Sequence, residues 1–261
     1  MDLGLDGRVC VVTGASRGIG LAAAQRLAQE GGRVLMVARS EDALAEAATG
    51  IDGAEWIAAD VTDPDCARRI VATATEQLGG LDVLINNAGF SKNIGLDELT
   101  EDDWREQHEV HVMAPMRLMR LAAPLMAARG WGRIVNVASS SGKRPSASNM
   151  AYSVAKAGQL SVSRAFADVY ARDGVLVNAV TPGPTATGLW TGDGGLADQV
   201  AAVSGTTRDE ALAAAARKIP RGRLGDVQDV ADVVVFLCSE RAGNVAGAAW
   251  SADGGSVNII I

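Results

Sequence analysis

The 261-residue sequence predicts an α/β chain: a doubly wound parallel sheet of about seven strands flanked by helices. Two observations predict it. Short apolar runs recur at intervals that each leave room for a helix, and the 48% hydrophobic content comes mainly from Ala, Val and Leu, with aromatics at only 4%. Strands buried on both faces read as such unbroken runs, and small helix residues cover them. An all-β sandwich is disfavoured by the same composition.

Strands read at residues 8–12, 33–37, 55–58, 81–85, 133–137, 175–180 and 248–251. Helical periodicity fills the intervals at 18–30, 41–48, 64–78, 101–129, 151–172 and 227–238. Asp63-Pro64 reads as an N-cap with proline at the first helical position, and Gly31-Gly32 and Gly79-Gly80 close two helices. Right-handed crossovers put the carboxyl ends of all strands on one edge, where such sheets bind ligands. With no repeat or linker, residues 1–261 read as one domain. Residues 182–225 stand apart for their Gly, Thr and scattered Ala. An insertion at about 184–222, with short helices at 196–203 and 208–218, is expected to cover the ligand edge as a lid.

A net charge of −7 disfavours unspecific attraction to nucleic acid or an anionic membrane. Cys10, Cys66 and Cys238 are widely spaced and read as buried reduced thiols, which makes a cytoplasmic location the default. Met1-Asp2-Leu3-Gly4 lacks the features of a secretory signal, and no stretch approaches the roughly 20 apolar residues of a membrane span. The expected partner is a small-molecule substrate, and no metal is called for.

Thr13-Gly14-Ala15-Ser16-Arg17-Gly18-Ile19-Gly20 follows the first strand and opens the first helix. Glycines there let the backbone turn sharply and approach a ligand closely, and the helix N-terminus offers N–H groups to a pyrophosphate. In this context the sheet is of the Rossmann type, and Gly14, Ser16, Arg17, Gly18, Ile19 and Gly20 are dinucleotide-binding candidates. The second strand ends in Val37-Ala38-Arg39-Ser40 with no acidic residue to bind an adenosine ribose. Ala38 spares a 2′-phosphate the repulsion of a carboxylate, and Arg39 and Arg17 offer it guanidinium donors, so NADP(H) is favoured, with NAD(H) possible. Asp60-Val61 ends the third strand, where a carboxylate could accept from the adenine amino group. Asn87, Ala88 and Gly89 end the fourth, either passing close to the ribose or tying neighbouring strands together.

Tyr152 and Lys156 stand four residues apart, and Ser139-Ser140-Ser141 lies one loop upstream. A phenol, an ammonium and a hydroxyl converging on one carbonyl make a proton-delivery site. Residues at i and i+4 share a helix face, so the ammonium can ease ionisation of a phenol whose ordinary pKa is about 10.

Taken together, Thr13-Gly14-x3-Gly18-x-Gly20, Asp60, Asn86-Asn87-Ala88-Gly89, Ser139, Tyr152-x3-Lys156, Asn178-x3-Pro182-Gly183 and the ending Ala252-Asp253-Gly254-Gly255 resemble the classical short-chain dehydrogenase/reductase family over essentially the whole chain. The resemblance implies carbonyl reduction, or the reverse alcohol oxidation, with Tyr152 as general acid or base, Lys156 holding nicotinamide ribose hydroxyls, and Ser139 on the substrate carbonyl. It implies cofactor contacts from Pro182, Gly183, Thr185 and Thr187. Phe90, Ser91, Ser141, Lys143, Asn149, Leu189 and Trp190 are substrate-pocket candidates. One departure stands out: His111 occupies the helix position where the family carries an asparagine that joins the lysine to solvent through water. Imidazole titrates near neutrality, so His111 either preserves that relay or makes it pH-dependent, or is a core histidine.

A 3-oxoacyl-carrier-protein reductase is the alternative substrate reading. It would want a basic rim, for which Lys92, Lys143, Arg144 and residues 217–223 are the only candidates. A non-catalytic dinucleotide-binding regulator is a further alternative, disfavoured by the intact Ser139, Tyr152 and Lys156. By resemblance, residues 113–126 and 151–171 are expected to pair helices into a homodimer or homotetramer, although one chain's own sheet could also use both stripes. The apolar tail Val257-Asn258-Ile259-Ile260-Ile261 reads as a surface buried against a neighbouring subunit.

Overall fold

The computed structural model, which describes residues 1–259, contains one parallel sheet in the order β3-β2-β1-β4-β5-β6-β7. β1 (Val9–Thr13) pairs with β2 (Arg33–Ala38) on one side and β4 (Val83–Asn86) on the other. β3 (Glu55–Ala58) lies outside β2, while β5 (Gly132–Val137), β6 (Val175–Pro182) and β7 (Ala249–Ala252) extend the sheet beyond β4. The winding therefore reverses between β1 and β4. The crevice at their carboxyl ends is the switch point at which a doubly wound sheet takes a ligand.

Each strand falls within two residues of its predicted place. β6 runs on to Pro182 because it pairs in register with β7, Thr181 against Ser251 and Pro182 against Ala252. Asn178 secures that edge: its Nδ2 donates to the Val245 carbonyl at 2.7 Å and its Oδ1 accepts from the Ala248 N–H at 3.0 Å.

Alternate strand residues divide between the two faces, as the pleat requires. Val12, Met36 and Ile85 join one core under α1 (Gly18–Gln29), α2 (Glu41–Ala48) and α10 (Val227–Cys238). Val11, Leu35 and Leu84 join the other under α3 (Cys66–Gln77), α5 (Ala114–Ala128) and α6 (Met150–Tyr170). Each such side chain, fully buried, contributes roughly 1.5–3 kcal/mol. Cys10, Cys66 and Cys238 are buried free thiols.

Two helix expectations change. The helix predicted from Pro64 starts at Cys66, because Asp63 turns its carboxylate onto the Asp65 N–H at 2.9 Å and so makes a turn before the helix instead of capping it. The helix predicted across 101–129 is α4 (Glu101–His108), a π-helical stretch at Glu109–Met113, and α5. Pro115 has no N–H to give to the carbonyl four residues back, that of His111, and the wider π turn accommodates this.

Between β6 and α10 the chain forms α7 (Gly188–Thr191), α8 (Leu196–Ser204) and α9 (Arg208–Arg217). Its base is closed where the Gly225 N–H donates to the Pro184 carbonyl and the Ala186 N–H to the Gly225 carbonyl, both at 2.9 Å. Ile260 and Ile261 of the apolar tail lie outside the described residues, and Ile259 is exposed. Among the described residues no helix is long and apolar enough to cross a membrane.

Candidate active site

The turn after β1 is built for close approach. Gly14 and Gly18 have φ of +66° and +59°, and a Cβ on Gly20 would collide with the Gly14 carbonyl and the Asn87 amide. Arg17 is the N-cap of α1 with no capping side chain, so the first-turn N–H groups face the crevice at the positive end of the helix. Asn87 donates to the Thr13 and Gly14 carbonyls at 3.0 and 3.2 Å, and Thr13 Oγ1 accepts from the Asn87 and Ala88 N–H groups. That bridging favours the strand-tying alternative for the Asn87 side chain, and it leaves the backbone of Ala88 and Gly89 at the crevice. The glycine cradle and uncapped helix fit a dinucleotide pyrophosphate.

Ala38 ends β2, and Arg17 and Arg39 are both exposed beside this turn. Burial raises the Asp60 carboxyl, but hydrogen bonds from Thr62 and the positive charge of Arg39 outweigh it and hold Asp60 below its ordinary value. Oδ1 takes both Thr62 bonds, at 2.9 and 2.8 Å. Val61 follows it, partly buried. On the far side of the crevice, Thr185 Oγ1 donates to the Gly183 carbonyl at 3.0 Å and holds the Pro182–Thr187 turn. The Thr187 methyl lies 3.5 Å from where a Gly18 Cβ would be, so this turn meets the glycine loop.

Tyr152 lies on the first turn of α6 and Lys156 one turn later. Ser139 lies two residues beyond β5 and caps a short turn, its Oγ accepting from the Ser141 N–H at 3.1 Å. Burial raises the Tyr152 pKa, and the Ser139 hydroxyl beside the phenol pulls it partly back. Lys156 is 3% exposed; its Nζ donates to the Val137 carbonyl at 2.8 Å and Gln159 Oε1 at 3.0 Å, and lies 5.7 Å from the Tyr152 ring centre. Burial lowers its pKa to about 7. In the protein alone, desolvation favours the neutral form of both groups.

His111 is 1% exposed, on the π turn. Its Nε2 is 2.9 Å from the Phe90 carbonyl, which can only accept, so Nε2 carries the proton and Nδ1 presents a lone pair. Nδ1 has no partner among the described residues. Burial, and then the charge on Lys156, hold the imidazole well below its ordinary pKa, and the Phe90 bond offsets this only in part. The neutral imidazole is therefore the favoured form.

The structure brings Ser139, Tyr152, Lys156 and His111 together. Asn149, one residue before α6, lines a cleft with Tyr152, while its Oδ1 accepts from Ser153 Oγ at 2.9 Å. Phe90 faces His111 at a centroid distance of 6.3 Å, and Ser141 lies in the turn after Ser139. Leu189 and Trp190 sit on α7, with Leu189 37% exposed. Lys143 points elsewhere: its Nζ donates to the Ala249 carbonyl and Ser251 Oγ of β7. Sequence reasoning placed Thr13 in the glycine-rich motif without a role of its own, and missed Gln159 and Gln107. Gln159 follows Lys156 by three residues, a spacing that signals contact on a helix.

A family model described as enoyl-(acyl carrier protein) reductase matches residues 14–257. The 3-oxoacyl-[acyl-carrier-protein] reductase FabG of Vibrio cholerae is 34% identical over 254 residues, 97% of this chain and 98% of that protein. The cis-4-hydroxycyclohexanecarboxylate dehydrogenase of Sinomonas cyclohexanicum is 38% identical over 252 residues, 95% of this chain and 96% of that protein. Among solved structures, L-sorbose reductase from Gluconobacter frateurii complexed with NADPH and L-sorbose superposes with a TM-score of 0.92 at 35% identity, covering 100% of both chains.

Proposed function

The chain belongs to the short-chain dehydrogenase/reductase family of NAD(P)-dependent oxidoreductases acting on C=O and CH–OH groups, and from that premise we propose that it reduces a ketone to a secondary alcohol with NADPH, or runs the reverse oxidation. The observation that carries this reading is the convergence of the Ser139 hydroxyl, the Tyr152 phenol and the Lys156 ammonium at the switch-point crevice.

NADPH, when bound, supplies the hydride that reaches the carbonyl carbon. Gly14, Ser16, Arg17, Gly18, Ile19 and Gly20 would hold the pyrophosphate, Arg39 and Arg17 the 2′-phosphate, Asp60 and Val61 the adenine, and Ala88 and Gly89 the ribose. Pro182, Gly183, Thr185 and Thr187 orient the nicotinamide end. NADPH in the sorbose reductase complex supports this preference.

Ser139 donates a hydrogen bond to the carbonyl oxygen, and Tyr152 gives that oxygen its proton. A phenol kept protonated by burial is suited to donate. Lys156 has two of its three donors on Val137 and Gln159, and the third serves the ribose hydroxyls. Its positive charge stabilises the phenolate left after proton transfer. His111, neutral, holds a water that returns the proton from solvent. Residues 1–261 act as one domain, and the insertion at 184–222, with Leu189 and Trp190 on its first helix, excludes water over Phe90, Ser141 and Asn149.

A homodimer or homotetramer through α5 and α6 completes the proposal. Leu125, Val154 and Val169 are exposed apolar residues on those two helices. Sedimentation as a monomer would refute it.

The 34% identity to a 3-oxoacyl-carrier-protein reductase favours a second reading, in which the ketone is carried by an acidic protein. Against it, three cations of the basic rim are engaged, Lys92 with Asp103 and Glu106, Arg223 with Asp229, and Lys143 with β7, which leaves Arg144, Arg217, Lys218 and Arg221 to meet such a partner.

Following cofactor absorbance with a panel of ketones, NADPH and NADH side by side, tests the proposal. Tyr152→Phe should lower reduction by about 10²–10⁴-fold while NADPH binding persists. An unchanged rate would leave a non-catalytic or different role for this crevice.

A further inference from the structure

One turn before His111 stands a buried amide that the chemistry above does not use. Gln107, at the end of α4, is 3% exposed, and neither its Oε1 nor its Nε2 has a hydrogen-bond partner among the described residues. A buried polar group left unpaired is costly to the fold. Folding does not explain the amide: the start of α4 is already held by Thr100 and Asp103 in a capping box. Gln107 lines a cleft together with Ile94, Leu99, Asn149, Ala151 and Tyr152. Whatever meets the amide therefore sits beside the proton-donating phenol.

The chemistry of the cleft narrows the occupant. An amide offers two donors and an acceptor without charge, which matches a hydroxyl, itself both donor and acceptor. A carboxylate or phosphate is not matched, because Lys92, the one cation lining the cleft, already serves Asp103 at 3.4 Å and Glu106 at 2.7 Å. Asp103 is engaged in turn by Thr100 and Lys92, so a cation is not matched either. Ile94, Leu99 and Ala151 supply an apolar wall around a space that holds one group the size of a hydroxyl or a water.

We infer that this cleft is a subsite for a hydroxyl group carried by the substrate beyond its reacting carbonyl, with Gln107 as its hydrogen-bonding residue, so that the substrate class is a hydroxylated ketone. The inference rests on the proposed ketone reduction and adds the substrate class to it.

The test compares a hydroxyketone with its deoxy analogue of equal chain length. In the wild type kcat/KM should favour the hydroxyketone. Both Gln107→Leu, which removes the amide, and Gln107→Asn, which keeps it but withdraws it by one methylene, should lower that ratio by about 10–100-fold. A ratio unchanged in both variants, as when only a structural water meets Gln107, overturns the subsite. Titration calorimetry of the wild type with the same two ketones and NADP⁺ reads the preference without turnover. Preferential binding without reduction by NADPH would sink the reductase reading alone, whereas reduction without preference in either measurement would sink the subsite alone. Neither binding nor reduction would sink both.

Discussion

His111 meets Tyr152 edge-on, with ring centroids 5.1 Å apart and planes at 84°. This is an apolar contact from an imidazole that keeps its proton on Nε2, towards Phe90. The folded protein resists protonating His111, whereas the unfolded chain takes up that proton near the ordinary value of 6.5. Below about pH 6.5 the unfolded state therefore binds a proton that the folded state refuses, and stability falls as pH drops. Thermal melts between pH 7.5 and 5 should show a steeper loss for the wild type than for His111→Asn. Equal slopes would mean that the imidazole accepts the proton in place.

Lys156 has a dependence of the same sign in a higher pH window. Its pKa is lowered from 10.5 to about 7 in the folded protein. Between those values the unfolded chain holds a proton that the folded chain has lost, so stability rises with pH across that window; below about 7 the penalty for a buried ammonium is fully present. Relative to Lys156→Met, the wild type should gain stability from pH 7 to 9, measured by denaturant unfolding. NMR of labelled lysine side chains should show a signal that titrates near 7 and vanishes in the variant. Activity should be lost with the ammonium at any pH. A constant stability difference between the two proteins would contradict burial as the cause.

The sheet was legible because a parallel sheet writes itself as apolar runs, and the Tyr152–Lys156 face was legible because i,i+4 spacing fixes it. What escaped depends on contacts that local patterns do not carry. Gln107 lies in Glu101-Asp102-Asp103-Trp104-Arg105-Glu106-Gln107, which reads as a solvated helix, yet the chain buries that one amide. The π turn leaves the apolar periodicity nearly intact, and Pro115 was its only local signal. Lys143 read as a pocket residue because its partner on β7 lies more than 100 residues away. Asp63-Pro64 satisfied the rule for a helix start, but the Asp63 carboxylate had a nearer N–H to bind.

Cofactor preference should turn on Ala38 and Arg39. Ala38→Asp puts a carboxylate at the end of β2, where it repels a 2′-phosphate and can bind the ribose hydroxyls of NADH. The NADPH-to-NADH ratio of kcat/KM should fall by roughly 10–1,000-fold. Arg39→Ala should lower NADPH use by about 10–100-fold, the loss of one or two charge-assisted hydrogen bonds. NADH use should change little in the second variant. If the wild type prefers NADH, the reading of these two positions is wrong.

The last prediction concerns the fit between Gly89 and His111. A Cβ on Gly89 would run into Cε1 of the His111 ring and lie 3.0 Å from Nδ1. The ring cannot swing away freely: Nε2 is tied to the Phe90 carbonyl, one edge packs on Tyr152, and the residue is buried. Gly89 has no positive φ, so the backbone itself would accept alanine. Any cost of Gly89→Ala must then come from overpacking, which is typically about 1–3 kcal/mol. Replacing His111 by Ser makes room, so the alanine should cost much less in that background, and a double-mutant cycle should return most of the single-mutant loss as coupling. Because the displaced ring leans on Tyr152, Gly89→Ala should also slow reduction more than it weakens NADPH binding. Additive stabilities in the cycle would show that the two positions do not share this space.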